Sequence, residues 1–371
     1  MLCRRSRAPS PTGSRSRASS TEPRPRRGAA RRAPAATLAS VASPTKKTKK
    51  KSAKRAPSKR TSPARTNPAK ASAASGNPAK VRPATARDWI AGARLRTLSL
   101  AVAPVALGTA VAYNTLGYNL AIALLCLAVA VFLQVGVNFA NDYSDGVRGT
   151  DRYRVGPSRL TGSGAAKPRT VLTVALVFFS LGAAAGLAIV VLTGIWWLLA
   201  VGAVALVAAW FYTGGKRPYG YAGLGELVAF VFFGIVATAG TTYVQIETVP
   251  FETWLAGTIA GLFAAAILLV NNIRDREQDA LVAKRTLAVR LGDLPARILF
   301  SVLLASAYGV LVPFALLFEW APAVYGTLLI SAPVILIVLL ARTAGELVLA
   351  LKLTSLAALL TGLGLAAAIA F

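Results

Sequence analysis

From residue 88 onward, apolar runs of about 20 residues recur, each long enough to cross a hydrocarbon core of about 30 Å. Nine stand out: 97–114, 119–139, 170–193, 195–212, 224–244, 252–272, 295–318, 324–341 and 351–371. A lipid-spanning chain must satisfy its backbone hydrogen bonds within each segment, so such runs become helices. Their Ala and Gly content suits close helix contact in lipid. Nine runs of this length argue against a large soluble helical core. The expected fold is all-α and polytopic: nine transmembrane helices around an apolar chamber.

Charge divides the chain near the same point. The whole sequence carries 42 Lys+Arg and 14 Asp+Glu, a net charge of +28. Residues 1–87 hold 24 of those basic residues and a single acid, Glu22. This segment is rich in Ser, Pro and Ala, carries a Lys-rich run at Lys46–Lys51, and has no aromatic residue. It has too little apolar surface to offset ordering entropy, and the expectation is a disordered tail, 1–87, before a transmembrane domain, 88–371. The composition fits anionic lipid headgroups, non-specific nucleic acid, an organelle transit peptide, or a solvated extension without a partner. No sequence-specific nucleic-acid partner is expected. No apolar segment precedes residue 88, which argues against a cleaved secretory signal.

Orientation follows from the remaining charges. With nine spans, all 18 Lys/Arg of residues 88–371 fall before the first span or in the links 2–3, 4–5, 6–7 and 8–9. The opposite links carry only Glu247, Glu252 and Glu319. The positive-inside rule then places the N-terminus in the cytoplasm and the C-terminus outside a cell membrane.

Six of the thirteen acids in this region lie in two short clusters. One is Asn141-Asp142-Tyr-Ser-Asp145-Gly-Val-Arg148-Gly149-Thr-Asp151, at the end of the second run. The other is Asn271-Asn272-Ile-Arg274-Asp275-Arg-Glu277-Gln-Asp279, at the end of the sixth. Asn141 and Asp145 are four residues apart, as are Asp275 and Asp279, so each pair shares a face if the helix continues. Two carboxylates at about 6 Å with an effective dielectric near 20 repel by roughly 3 kcal/mol. Salt bridges to arginines would offset this. So would Mg²⁺, which favours carboxylate and amide oxygens and usually shares its shell with phosphate.

The neighbouring cations suit a phosphorylated ligand. Arg148, Arg152, Arg154 and Arg159 follow the first cluster, and Lys284 and Arg285 follow the second. The 4–5 link adds Tyr212-Thr-Gly-Gly-Lys216-Arg217-Pro218, and Gly156-Pro157 and Gly162-Ser-Gly164 mark a tight or mobile loop. Metal plus a Lys/Arg clamp describes a pyrophosphate site, while positive-inside anchoring accounts equally for any single cation. No P-loop pattern is present. The chain has no histidine, which excludes Ser-His-Asp or Cys-His catalysis and His-ligated zinc or haem. An isoprenoid diphosphate fits both halves, with its tail in the chamber and its head on metal and cations. A carrier of phosphorylated lipids is the competing reading. Transporters place functional charges nearer the midplane and show repeat halves, whereas these acids lie at helix ends.

NDYSDGVRGTD (141–151), GPSRLTGSG (156–164), YTGGKRPYGYAGLGE (212–226) and NNIRDREQDALVAKRTLAVRLG (271–292) together resemble the UbiA-type intramembrane aromatic prenyltransferases. The resemblance covers about 88–371. It implies Mg²⁺–diphosphate binding at Asn141, Asp145, Asp151, Asp275 and Asp279, with Asp142 in the first motif. It also implies a YxxxK element at Tyr212 and Lys216 in the substrate site, with Lys216 on the diphosphate; the cations Arg159, Arg274, Lys284 and Arg285 are the further substrate contacts expected. Asp145, Asp275 and Lys216 are the implied catalytic residues. Asp145 to Asp151 is two residues longer than the usual NxxxDxxxD. That form is similar to the branch that prenylates 1,4-dihydroxy-2-naphthoate from a polyprenyl diphosphate, giving demethylmenaquinone. Other branches act on 4-hydroxybenzoate, homogentisate, haem or a chlorophyllide. Ala283 stands where the family usually has Gly, and Ser99 where Pro is common.

Overall fold

A computed structural model describes residues 82–153 and 159–371, all within the unit Ser72–Phe371. Nearly all of the basic tail, residues 154–158 with Arg154, Gly156 and Pro157, and the side chain of Arg152 lie outside the described residues. Among the described residues there are helices and no strand.

The elements follow the apolar runs. α1 (Ala86–Ala93) opens where Asp88 accepts bonds from the Thr85 amide and hydroxyl at 2.8 and 2.6 Å. Arg94, at φ 54°, and a 3₁₀ turn, Leu95–Leu98, lead into α2 (Ser99–Asn114), and the chain bends by 45° at this joint. α3 (Leu120–Arg148) ends at Gly149 and α4 (Pro168–Thr193) at Gly194, both at φ 73°, where a glycine carries no Cβ penalty. α5 (Leu198–Phe211) follows the exposed Trp196 and Trp197, then come α6 (Gly225–Ile246), α7 (Phe251–Leu281) and the short α8 (Leu287–Leu291). α9 (Asp293–Leu317), α10 (Ala321–Leu340) and α11 (Ala344–Ala370) complete the described chain.

Among the described residues seven helices (α3, α4, α6, α7, α9, α10 and α11) are long and apolar enough to cross a membrane, and α1–α2 makes an eighth if the bent pair is one span. The run expected at 195–212 forms only α5, 14 residues or about 21 Å, less than the hydrocarbon thickness.

α7 is the central strut. Its Ile259, Phe263, Ile267 and Val270 share one core with Leu107 of α2, Phe300 and Leu304 of α9, and Leu365 of α11. A second cluster joins Val135 and Phe139 of α3 to Val171, Ala175 and Phe179 of α4. Outward-facing Val191, Leu192, Leu316, Leu329 and Leu340 are exposed, which is costly in water and favourable in lipid.

α6 is π-helical over Phe230–Val236, and this stretch meets α7 backbone to backbone. A Cβ on Gly234 would stand 2.4 Å from Gly261 Cα and 2.5 Å from the Gly257 carbonyl. Small residues permit this approach, and a π-turn re-aims its neighbours, here Phe232, Phe233 and Val236, onto the wall of a cavity. Gly234→Ala should lower thermal stability in detergent by about 1–3 kcal/mol. Gly240→Ala, where a Cβ meets nothing within 4 Å, should leave it unchanged.

Candidate active site

α3 and α7 both carry their acids at their C-terminal ends, and the loops after them fold over the same opening. Asn141, Asp142 and Asp145 of α3 are buried, as are Asp275 and Asp279 of α7. Buried carboxylates need partners, and each finds them locally.

Asp142 accepts the backbone amides of Leu160 at 2.9 Å and Thr161 at 2.8 Å, so both its oxygens fix the 159–164 loop. That loop delivers Arg159. Its buried guanidinium pairs with Asp145, reaches Asp151 at 3.5 Å, and donates to the Asn141 carbonyl at 3.0 Å. Burial opposes the charge of Arg159, but Asp145, Asp151 and Asp142 together outweigh it and hold its pKa above the ordinary value.

The second oxygen of Asp145 accepts the hydroxyl of Tyr221 at 2.5 Å. The Tyr221 ring lies 5.4 Å from the Arg148 guanidinium and 5.2 Å from the Lys284 ammonium, both in cation–π range. Burial first, and then the Asp145 charge, push the Tyr221 phenol upward, so it stays a proton donor at neutral pH. Lys284 in turn pairs with Asp279 at 3.3 Å. The other Asp279 oxygen, Oδ2, is buried without a hydrogen-bond partner. Arg274 forks onto the adjacent Asp275 at 2.7 and 2.6 Å and reaches Asn271 Oδ1 at 2.9 Å. Through Tyr221 and Lys284 the two acidic clusters become one site.

The 213–215 loop is tied to α3. Arg148 donates to the Thr213 and Gly215 carbonyls, Ser144 donates to the Thr213 carbonyl at 2.7 Å, and Thr213 donates to Asn141 Oδ1 at 2.7 Å. Glycine is required at 214, since a Cβ there would stand 2.5 Å from the Trp210 carbonyl.

These groups form the polar mouth of one cavity of about 620 Å³. Asn141, Asp145, Arg159, Tyr221, Arg274 and Lys284 line the mouth, with Tyr212 beside them. Tyr219 also faces it, and burial pushes its phenol up to about 12. Deeper in, the walls are Val129, Leu133, Ile189, Val201, Phe232 and Val236. A charged head and a long apolar tail are accommodated together. Lys216 and Arg285 are exposed and outside the lining, and Asp151, Asp275 and Asp279 stand behind it. Among the described residues no set of three or more His, Cys, Asp or Glu side chains is arranged for a metal. The oxygens are hard donors, but cations hold the carboxylates.

The family model for UbiA prenyltransferases matches residues 101–347. The chain belongs to the UbiA prenyltransferase family. Among its relatives is the 1,4-dihydroxy-2-naphthoate octaprenyltransferase of Mycobacterium tuberculosis, 48% identical over 292 residues, covering 76% of this chain and 97% of that one. The enzyme of the same name from Haemophilus influenzae is 40% identical over 227 residues, 59% of this chain and 74% of its own. The apo structure of a UbiA homolog from Aeropyrum pernix K1 shares the fold, with a TM-score of 0.56 at 19% identity, covering 71% of this chain and 96% of that chain. With its long apolar helices, this UbiA chain is a multi-pass membrane protein.

Tyr221 escaped the sequence reading, because its partners lie 76 residues upstream and 63 downstream. The signal available was a Tyr219-Gly220-Tyr221 pair of aromatics directly after Lys216-Arg217-Pro218. Arg159→Met should cost about 3–5 kcal/mol of thermal stability, because it strands buried carboxylates without their cation. Adding Asp145→Asn to that variant should recover part of the loss.

Proposed function

We propose that the protein transfers a polyprenyl group from polyprenyl diphosphate to 1,4-dihydroxy-2-naphthoate. The carrying observation is a cavity whose mouth holds acids and cations and whose depth is apolar. The relatives named above act, by their names, on that acceptor.

In this reading Arg159, Arg274 and Lys284 turn from their carboxylates to the oxygens of the diphosphate, and Tyr212 borders the head. Lys216 and Arg285, exposed beside the mouth, add positive potential that draws the substrate in. Asn141, Asp145, Asp151, Asp275 and Asp279 are the oxygen donors proposed to hold Mg²⁺, with Asp142 keeping the Arg159 loop in place. Donor chemistry fits: all are hard oxygens, and the bare Oδ2 of Asp279 lacks a hydrogen-bond partner. When bound, the metal adds positive charge against the negative charge developing on the leaving diphosphate.

The allylic C–O bond breaks and its electron pair leaves with diphosphate. A ring carbon of the acceptor supplies the pair for the new C–C bond. The carboxylate departs as CO₂ and its bonding pair returns to the ring. The product is demethylmenaquinone in its reduced form. The apolar wall excludes water, so the ring captures the cation ahead of hydrolysis.

We further propose nine spans, counting α1–α2 and α5, in the cell's inner (plasma) membrane. The N-terminus and basic links face the cytoplasm, and the tail of residues 1–87 rests on anionic lipid. The 18 basic residues, which lie before the first run, in alternate links or near the start of the run after such a link, support this orientation.

Asp145→Asn and Asp275→Asn should each lower Mg²⁺-dependent release of diphosphate at least a hundredfold while the purified protein keeps its helical circular dichroism. Full turnover in both would reject the site. A panel of 4-hydroxybenzoate, homogentisate and 1,4-dihydroxy-2-naphthoate should yield product only from the last. In inside-out vesicles, a cysteine at Lys216 should react with a charged maleimide and one at Glu319 should not; the reverse pattern would invert the topology.

A further inference from the structure

Two amides lie inside the cavity below the mouth, at a depth where polar groups are costly. Gln134 and Asn138 sit on α3, 11 and 7 residues before Asp145, about 16 and 10 Å deeper along the helix. Both are buried and both line the cavity. Their nitrogens are committed to the α1–α2 joint. Gln134 Nε2 donates to Thr97 Oγ1 at 2.9 Å, and Asn138 Nδ2 donates to the Ala93 carbonyl at 2.9 Å and to Thr97 Oγ1 at 3.3 Å.

The orientation of both amides is dictated by chemistry. Thr97 spends its only proton on the Arg94 carbonyl at 2.9 Å, so its oxygen can only accept from them. The Ala93 carbonyl likewise only accepts. Flipping either amide would set oxygen against oxygen. The two amide oxygens are therefore left over. Gln134 Oε1 is buried without a hydrogen-bond partner, and among the described residues the hydrogen bonds of Asn138 run through Nδ2, to Ala93 and Thr97. Gln134 and Asn138 lie four residues, one helical turn, apart on α3, so both present a side chain to the same face of the helix.

We infer that the amide oxygens of Gln134 and Asn138 form the subsite that accepts the two hydroxyl protons of a para-dihydroxy aromatic acceptor. The inference rests on the prenyl-transfer reading and extends it to the acceptor. Thr97 is the positioning residue that holds both amides oxygen-inward. A ring with a carboxylate in place of one hydroxyl meets an amide oxygen with its own negative charge and is repelled. A ring lacking one hydroxyl leaves a buried acceptor unpaired. Sites built on such hydrogen bonds discriminate strongly against analogues that lack the donor.

The test is a cycle between protein and ligand. Inhibition constants are measured for 1-hydroxy-2-naphthoate and 4-hydroxy-2-naphthoate as competitors of the dihydroxy acceptor, in the wild type and in Gln134→Met. In the wild type each should bind roughly ten- to a hundredfold more weakly than the dihydroxy compound. Gln134→Met should weaken the dihydroxy compound at least tenfold. It should leave one of the two mono-hydroxy compounds bound as in the wild type, with KM for farnesyl diphosphate unchanged. Equal weakening of all three ligands, or of none, overturns the inference. If the variant does not accumulate, the wild type alone decides, since equal affinity for the three ligands is also contrary. Absence of any turnover of 1,4-dihydroxy-2-naphthoate by the wild type would instead refute the underlying function.

Discussion

Neutralisation of buried carboxylates governs this molecule. Asp142, Asp145, Asp275 and Asp279 are all withdrawn from water at the ends of two long apolar helices. An isolated buried charge of that kind is not tolerated, so the chain surrounds each with backbone amides, guanidinium, ammonium or phenol. The loops owe their positions to that requirement. Asp142 anchors the 159–164 loop, Arg159 ties it to Asp145 and Asp151, and Lys284 closes the segment after α7 onto Asp279.

The same arrangement suits a charged visitor. Arg159, Arg274 and Lys284 serve as counter-ions and line the cavity mouth. They neutralise protein acids in the structure, and in the proposed function they face a diphosphate. Tyr221, bonded to Asp145 and in cation–π range of both Arg148 and Lys284, joins the α3 and α7 clusters into one unit. Below the charge layer the wall turns apolar, interrupted by the two amides on α3.

Much of this was legible in the sequence because membrane physics writes long signals. A span needs about 20 apolar residues, and among the described residues seven of the runs have a helix long enough to cross, with α1–α2 an eighth if the bent pair is one span. Charge placement and spacing marked Asp145, Arg159 and Lys284, which line the mouth, and Asp275 and Asp279, which stand behind it. Local geometry was less legible. The 45° joint before Ser99 and the shortness of α5 depend on turn conformation, which hydropathy does not report. Ala283 adopts φ 57°, a left-handed conformation that suits the glycine usual there. Lys216 faces solvent because Arg148 pins the preceding carbonyls. Gln134 and Asn138 are visible as polar residues inside an apolar run, but their bonds to Thr97, 37 and 41 residues away, are a tertiary contact that hydropathy does not report.

The central claim is that the two helix ends grip one diphosphate. The most direct measurement is a structure of the protein in lipid with Mg²⁺ and a non-hydrolysable farnesyl thiodiphosphate. The account predicts one diphosphate between Asp145 and Asp275, contacted by Arg159 and Lys284, with its chain descending past Leu133 and Phe232. A diphosphate bound elsewhere, or held by one cluster while the other keeps its ion pairs unchanged, would contradict it.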